Sequence, residues 1–130
     1  MVLQDVFCFM NTHYSLKKNS DFRRLYAKGK SHVTPYLVVY SRKNGMNVNR
    51  VGFTVSAKLG HAVVRNRIRR QLREIYRLHL SELKRGKDFV IVARSRCING
   101  DFKKMEASFL HACKELDLFE DTNRNHEKHY

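Results

Sequence analysis

Six stretches of the chain space their apolar positions regularly, three with the period of a helix and three as strand-like runs. Phe22, Leu25 and Tyr26 fall at i, i+3 and i+4 and share a helical face. Asn19 and Ser20 are suited to cap this helix over 21–28, and Gly29 to end it. Tyr36 to Tyr40 is β-branched and aromatic and reads as a strand, with Pro35 at its start, where an N–H can be spared. Lys43-Asn44-Gly45 is a turn signal, and 50–56 reads as a second strand antiparallel to the first, across a loop slightly long for a tight hairpin. The longest helical pattern runs from His61 to about Leu83, with Val64, Ile68, Leu72, Ile75 and Leu78 in one stripe. Lys84 to Lys87, including Gly86, close it, and Asp88 to Ala93 is the continuous apolar run of a buried strand. Asn99, Gly100 and Asp101 open a last helix with Phe102, Met105, Phe109, Cys113 and Leu116 on its core side. The order α-β-β-α-β-α predicts an α+β fold, a single-domain α-β sandwich with helices packed on a small sheet. Residues 1–15 are expected to form an N-terminal arm, 16–118 the folded domain and 119–130 a polar, frayed tail.

Charge narrows the function. Twenty-six Lys and Arg against twelve Asp and Glu leave a net +14 on 130 residues, of which 42% are hydrophobic. So basic a folding chain repels itself unless a polyanion neutralises it, which points to nucleic acid ahead of a membrane surface. Cys8, Cys97 and Cys113 are odd in number and unpaired by spacing, so neither a disulfide framework nor a zinc knuckle is indicated. The apolar start lacks a basic n-region and a cleavage site, and no run reaches the length of a membrane span. The expected compartment is the cytoplasm.

Most of the informative charge sits in the long helix, in Arg65-Asn66-Arg67-Ile68-Arg69-Arg70-Gln71-Leu72-Arg73. At 100° per residue, Asn66, Arg69, Arg70, Arg73 and Arg77 fall within roughly a 100° arc opposite the apolar stripe, with Arg65 and Arg67 flanking it. A solvated face held by i,i+4 ion pairs would need interleaved acids, and Glu74 and Glu82 are the only carboxylates in the helix. Arginine suits the contrary role, because its planar fork grips phosphate with two hydrogen bonds and stacks on bases.

The run from Arg50 through Val51-Gly52-Phe53-Thr54-Val55-Ser56-Ala57-Lys58-Leu59-Gly60-His61-Ala62-Val63-Val64 to Arg65-Asn66-Arg67-Ile68-Arg69-Arg70 resembles the signature of the bacterial ribonuclease P protein component. The likeness extends more weakly over residues 16 to 116, from Lys17-Lys18-Asn19-Ser20-Asp21-Phe22 to Phe89–Arg94. His61 departs from the usual Asn, and Ala57 from a Lys that often precedes Lys58, which would remove one phosphate contact near the strand end.

The resemblance implies a left-handed β-α-β crossover, against the usual right-handed rule, that presents the Arg-rich helix at an exposed corner. There Arg65, Asn66, Arg67, Arg69, Arg70 and Arg73 would bind the catalytic RNA. A cleft between the first helix and the sheet would bind the 5′ leader of precursor tRNA through Phe22, Tyr26, Tyr36, Tyr40, Thr54, Ser56 and Lys58. Aromatics that stack, hydroxyls and a Lys suit single-stranded RNA, although each ring serves equally well as core packing. Thr54 and Ser56, two apart on one strand, face the same side, as they would on any solvent face. The implied reaction is endonucleolytic removal of the leader by a ribonucleoprotein whose RNA carries catalysis. No catalytic residue, bound metal or cofactor is expected in this chain; the Mg²⁺ would be held mainly by the RNA, and no obligate protein partner is implied. A self-sufficient metal nuclease would need clustered carboxylates or His ligands, whereas the acids here are scattered and the His residues unpaired. A non-catalytic ribosomal or RNA-chaperone protein remains the rival that composition alone admits.

Overall fold

The apolar run near residue 90 forms the middle strand of a five-stranded sheet. A computed structural model describes residues 13–16 and 18–120. Along the chain these form β1 (His13–Ser15), α1 (Asn19–Lys28), β2 (Lys30–Val33), β3 (Leu37–Lys43), β4 (Asn49–Thr54), α2 (Ala62–His79), β5 (Lys87–Ala93) and α3 (Phe102–Glu115). The sheet order is β1-β4-β5-β3-β2. β1 and β5 run parallel to β4, while β3 is antiparallel to β5 and β2 to β3. The α+β class and the order of the long elements are as patterning predicts, with two short strands added.

The expected hairpin between residues 36–40 and 50–56 does not form. β5 is apolar on both faces and inserts between β3 and β4, so these two are neighbours in sequence but not in the sheet. Their connection is held by Asn44, whose side chain accepts from Met46 N at 2.7 Å and donates to Val48 O at 3.1 Å and Asp88 Oδ1 at 3.0 Å. The true hairpin joins β2 to β3 around Thr34 and Pro35, closed by Thr34 N–H to Leu37 O at 2.9 Å. Pro35 therefore belongs to a turn, not a strand.

The two faces of the sheet are unequal. Leu37, Val39, Val51, Phe89, Ile91 and Ala93 pack with Ile68, Leu72, Ile75 and Tyr76 of α2 and Met105, Phe109, Ala112 and Cys113 of α3. Tyr76 stands edge-on to Phe53 and Phe89, with centroids 6.3 and 5.9 Å away; burial pushes its phenol pKa up. By strand alternation Val90 and Val92 face the other way. There, among the described residues, the buried hydrophobic cluster is just Val90, Leu16 and, from α1, Leu25, with Phe22, Tyr40 and Val92 half-covered.

Several boundaries shift. α1 starts at Asn19 behind Lys18, so Asn19 and Ser20 are inside the first turn and no side chain caps it. Gly29 has an ordinary φ of −76°, and its smallness matters because a Cβ would lie 2.6 Å from Leu25 O. α2 ends at His79 and passes into a short 3-10 turn over Leu80–Glu82. Its buried stripe is rotated roughly 60° from the expected one, taking in Tyr76 and Arg73 and leaving Leu78 exposed. Asp101 does cap α3, accepting from Lys103 N at 3.0 Å. His13–Ser15 pair with Asn49–Val51 instead of joining a loose arm, and the start of the expected tail is held by Glu120 N–H to Glu82 O at 2.8 Å. The rest of the arm and tail lies outside the described residues. Among the described residues no helix is long and apolar enough to cross a membrane.

Candidate nucleic-acid interface

α2 begins where β4 ends, across a short 3-10 turn over Ala57–Leu59. Ser56 Oγ accepts from Lys58 N at 3.1 Å and caps that turn. Gly60 follows at φ +141°, a conformation open to glycine and strained for other residues, and lets the chain swing into the helix. Arg65 Nε donates back to Gly60 O at 3.1 Å, tying the helix start to the turn. His61 is the N-cap by position, but its ring makes no capping bond.

The expected arginine ridge is resolved into four kinds of residue. Asn66 and Arg70 are exposed; Arg69, half-exposed, donates to Asn66 Oδ1 at 3.1 Å. These three present donors to solvent. Arg65 is anchored as described, and Arg67 donates through Nη2 to the carbonyls of Cys97 and Ile98, pinning the turn after β5. Arg67 therefore has a structural task that its place on the helical wheel does not show. Arg73 departs most from expectation: it is only 9% exposed, and its Nε has no hydrogen-bond partner among the described residues. Burial, then repulsion from Arg69 and Arg70, lowers its pKa. An anion against Arg69 and Arg70 would relieve that repulsion. Arg77 is withdrawn from the ridge by a two-pronged bond to Glu74.

On the α1 face of the sheet, Phe22, Tyr26 and Tyr40 form a chain of rings. Tyr26 meets Tyr40 edge-on at 4.9 Å and Phe22 at 6.5 Å between centroids. Its hydroxyl is 2.9 Å from Thr54 Oγ1, and 41% of the residue remains exposed. Gly52 makes this possible: a Cβ there would lie 2.5 Å from Phe22 Cζ, so the ring rests on bare strand backbone. The register sets Tyr40, Val90 and Gly52 in one row and Val38, Val92 and Thr54 in the next. Ser56 and Lys58 continue from Thr54 and are exposed. Tyr36 is not part of this group; it packs against the main core under α2 and α3.

Gly52 is a site residue absent from the set expected from the sequence. A lone glycine inside a β-branched strand was the available signal. A clamp at the other end of the shelf is likewise absent from that set. Arg50 donates to Asp88 through Nε at 2.8 Å and Nη2 at 2.6 Å and lies 3.7 Å from Asp21 of α1. The bond to Asp88 raises the Arg50 pKa against the opposing effect of burial. Other acids are similarly engaged: Glu82 and Glu106 bracket His79, and Asp117 pairs with Lys84.

The geometry is thus a half-covered aromatic and hydroxyl shelf that leads, through Ser56 and Lys58, to the start of an arginine-bearing helix. Comparison with known proteins gives the same direction. A family model described as Ribonuclease P matches residues 10–117. The ribonuclease P protein component of Alkaliphilus oremlandii is 46% identical over 79% of this chain and 90% of its own. The structure of the Staphylococcus aureus RNase P protein superposes with a TM-score of 0.75 at 37% identity, covering 82% of this chain and 98% of that one. The RNase P protein from Thermotoga maritima gives 0.69 at 34% identity, over 75% and 92%.

Proposed function

The chain belongs to the ribonuclease P protein family, and from that premise we propose how it serves a tRNA-processing ribonucleoprotein. Asn66, Arg69 and Arg70 grip phosphates of the catalytic RNA, with Arg65 and Arg67 anchoring the helix and Arg73 adding to its positive field. The shelf of Phe22, Tyr26, Tyr40 and Thr54, extended by Ser56 and Lys58, takes the single-stranded 5′ leader of precursor tRNA. Rings stack on bases without demanding a sequence, Thr54 and Ser56 bond to phosphate or sugar, and Lys58 neutralises charge. The chain contributes binding and positioning; Mg²⁺ held mainly by the RNA would supply an activated water and stabilise the leaving oxygen.

One observation carries this reading above all: α1 leaves the Tyr26 ring part-exposed above a strand whose glycine leaves room for the Phe22 ring. An ordinary core face would be closed. The test is affinity of the RNA–protein complex for precursor against mature tRNA. Wild type is expected to favour the precursor, and Tyr26→Ala/Tyr40→Ala to lose that preference while still assembling with the RNA. An unchanged preference in the variant would remove the shelf from the leader's path.

A further inference from the structure

A second concentration of positive charge lies at the end of the sheet away from the start of α2. Lys43 pairs with Lys87 across β3 and β5, Lys30 pairs with Ser41 across β2 and β3, and Lys28 ends α1. These residues line a cavity of about 210 Å³ whose apolar wall includes Leu118. Ser41 is 5% exposed, and its hydroxyl has no hydrogen-bond partner among the described residues. Buried hydroxyls are nearly always bonded, and this one lines the cavity with its donor uncommitted among the described residues. None of Lys28, Lys30, Lys43 and Lys87 forms an ion pair among the described residues, while Asp117 nearby is taken by Lys84 at 3.3 Å.

We propose that this cavity is a phosphate site, separate from the arginine helix and the aromatic shelf, that holds one backbone phosphate of the RNA partner. Ser41 Oγ–H donates to a phosphate oxygen, and Lys30, Lys43 and Lys87 neutralise it as mobile point charges. Burial, and then repulsion from Lys43, Lys84 and Lys30, holds the Lys87 pKa below its usual value; a bound anion reverses the second effect. The occupant rests on the ribonuclease P reading above, whereas the chemistry of the cavity does not.

Two measurements separate those dependencies. Inorganic phosphate titrated into the ¹⁵N-labelled chain should shift the Ser41 and Lys87 amides saturably, and Lys43→Gln/Lys87→Gln should abolish that response while sparing shifts around Arg70. Absence of a saturable shift at Ser41 in the wild type overturns the site, without reliance on any variant. In the second measurement, affinity for ribonuclease P RNA is followed between about 50 and 200 mM salt. The double variant should lose about threefold less affinity over that range than wild type, the mark of one lost phosphate contact. Equal salt dependence would overturn occupancy by RNA. If neither protein binds the RNA, the family-based reading fails, and the phosphate titration still decides the cavity.

Discussion

The two faces of the sheet are built from the same three long strands and end in different states. Under α2 and α3, inward residues of β3, β4 and β5 meet apolar helix faces and are buried almost completely. On the other face, among the described residues, one ten-residue helix covers three strands, and the enclosed hydrophobic residues are Leu16, Leu25 and Val90 alone. The difference is one of helix count, and it leaves aromatic area over a strand in contact with solvent. A closed face secures the fold, and a half-closed face retains surface that a ligand can cover.

The comparison is broken most forcefully from the closed side. Phe89→Ala removes a fully buried ring and is expected to cost about 3–5 kcal/mol of unfolding free energy, read by urea denaturation. Gly52→Ala forces a methyl group into the Phe22 ring; it should cost about 1–3 kcal/mol and weaken precursor binding as well, because Phe22 must leave the shelf. Tyr26→Ala is expected to separate the two properties. Leader-dependent affinity should fall by about 1–3 kcal/mol, with a smaller change in stability, since the ring is already part-exposed. Arg70→Ala should leave stability within about 0.5 kcal/mol and lower the salt slope of RNA binding by about 0.7–0.9. The smallest effect belongs to Glu74→Gln, which frees Arg77 and should raise RNA affinity less than about fivefold.

The Glu74 bond also fixes a sign with pH. Its hydrogen bond to Arg77 lowers the Glu74 pKa, against a small opposing effect of burial. The resulting stabilisation is therefore present above the ordinary Glu range and fades as pH falls through the depressed value. Both side chains are well exposed, so solvent screening keeps the effect slight.

What was legible in the sequence follows from which residues carry period. Val90 and its apolar neighbours announced a buried strand, and the Ile68–Leu72–Ile75 spacing announced α2. β2 was not legible because Lys30-Ser31-His32-Val33 is a mostly exposed edge with no apolar alternation. The insertion of β5 between β3 and β4 is a long-range pairing, and adjacent strands in a sequence invite a hairpin reading. At the site, Asn66 and Arg70 could be placed from the wheel alone. Arg67 and Arg73 could not, because their orientation depends on the turn after β5 and on the breadth of α2's buried face. Tyr36 looked like a third stacking tyrosine and packs on the main core because it follows the β2–β3 turn, outside regular strand alternation.

The most direct test of the central claim is reconstitution. The purified chain would be mixed with a bacterial ribonuclease P RNA at near-physiological Mg²⁺ and supplied with leader-bearing precursor tRNA. An Arg69→Ala/Arg70→Ala variant and a protein-only control would run alongside. Leader release by the mixture, inert protein alone and a variant that needs far more protein to restore cleavage are the predicted results. Cleavage by the protein alone, or no gain with several such RNAs, would contradict the account.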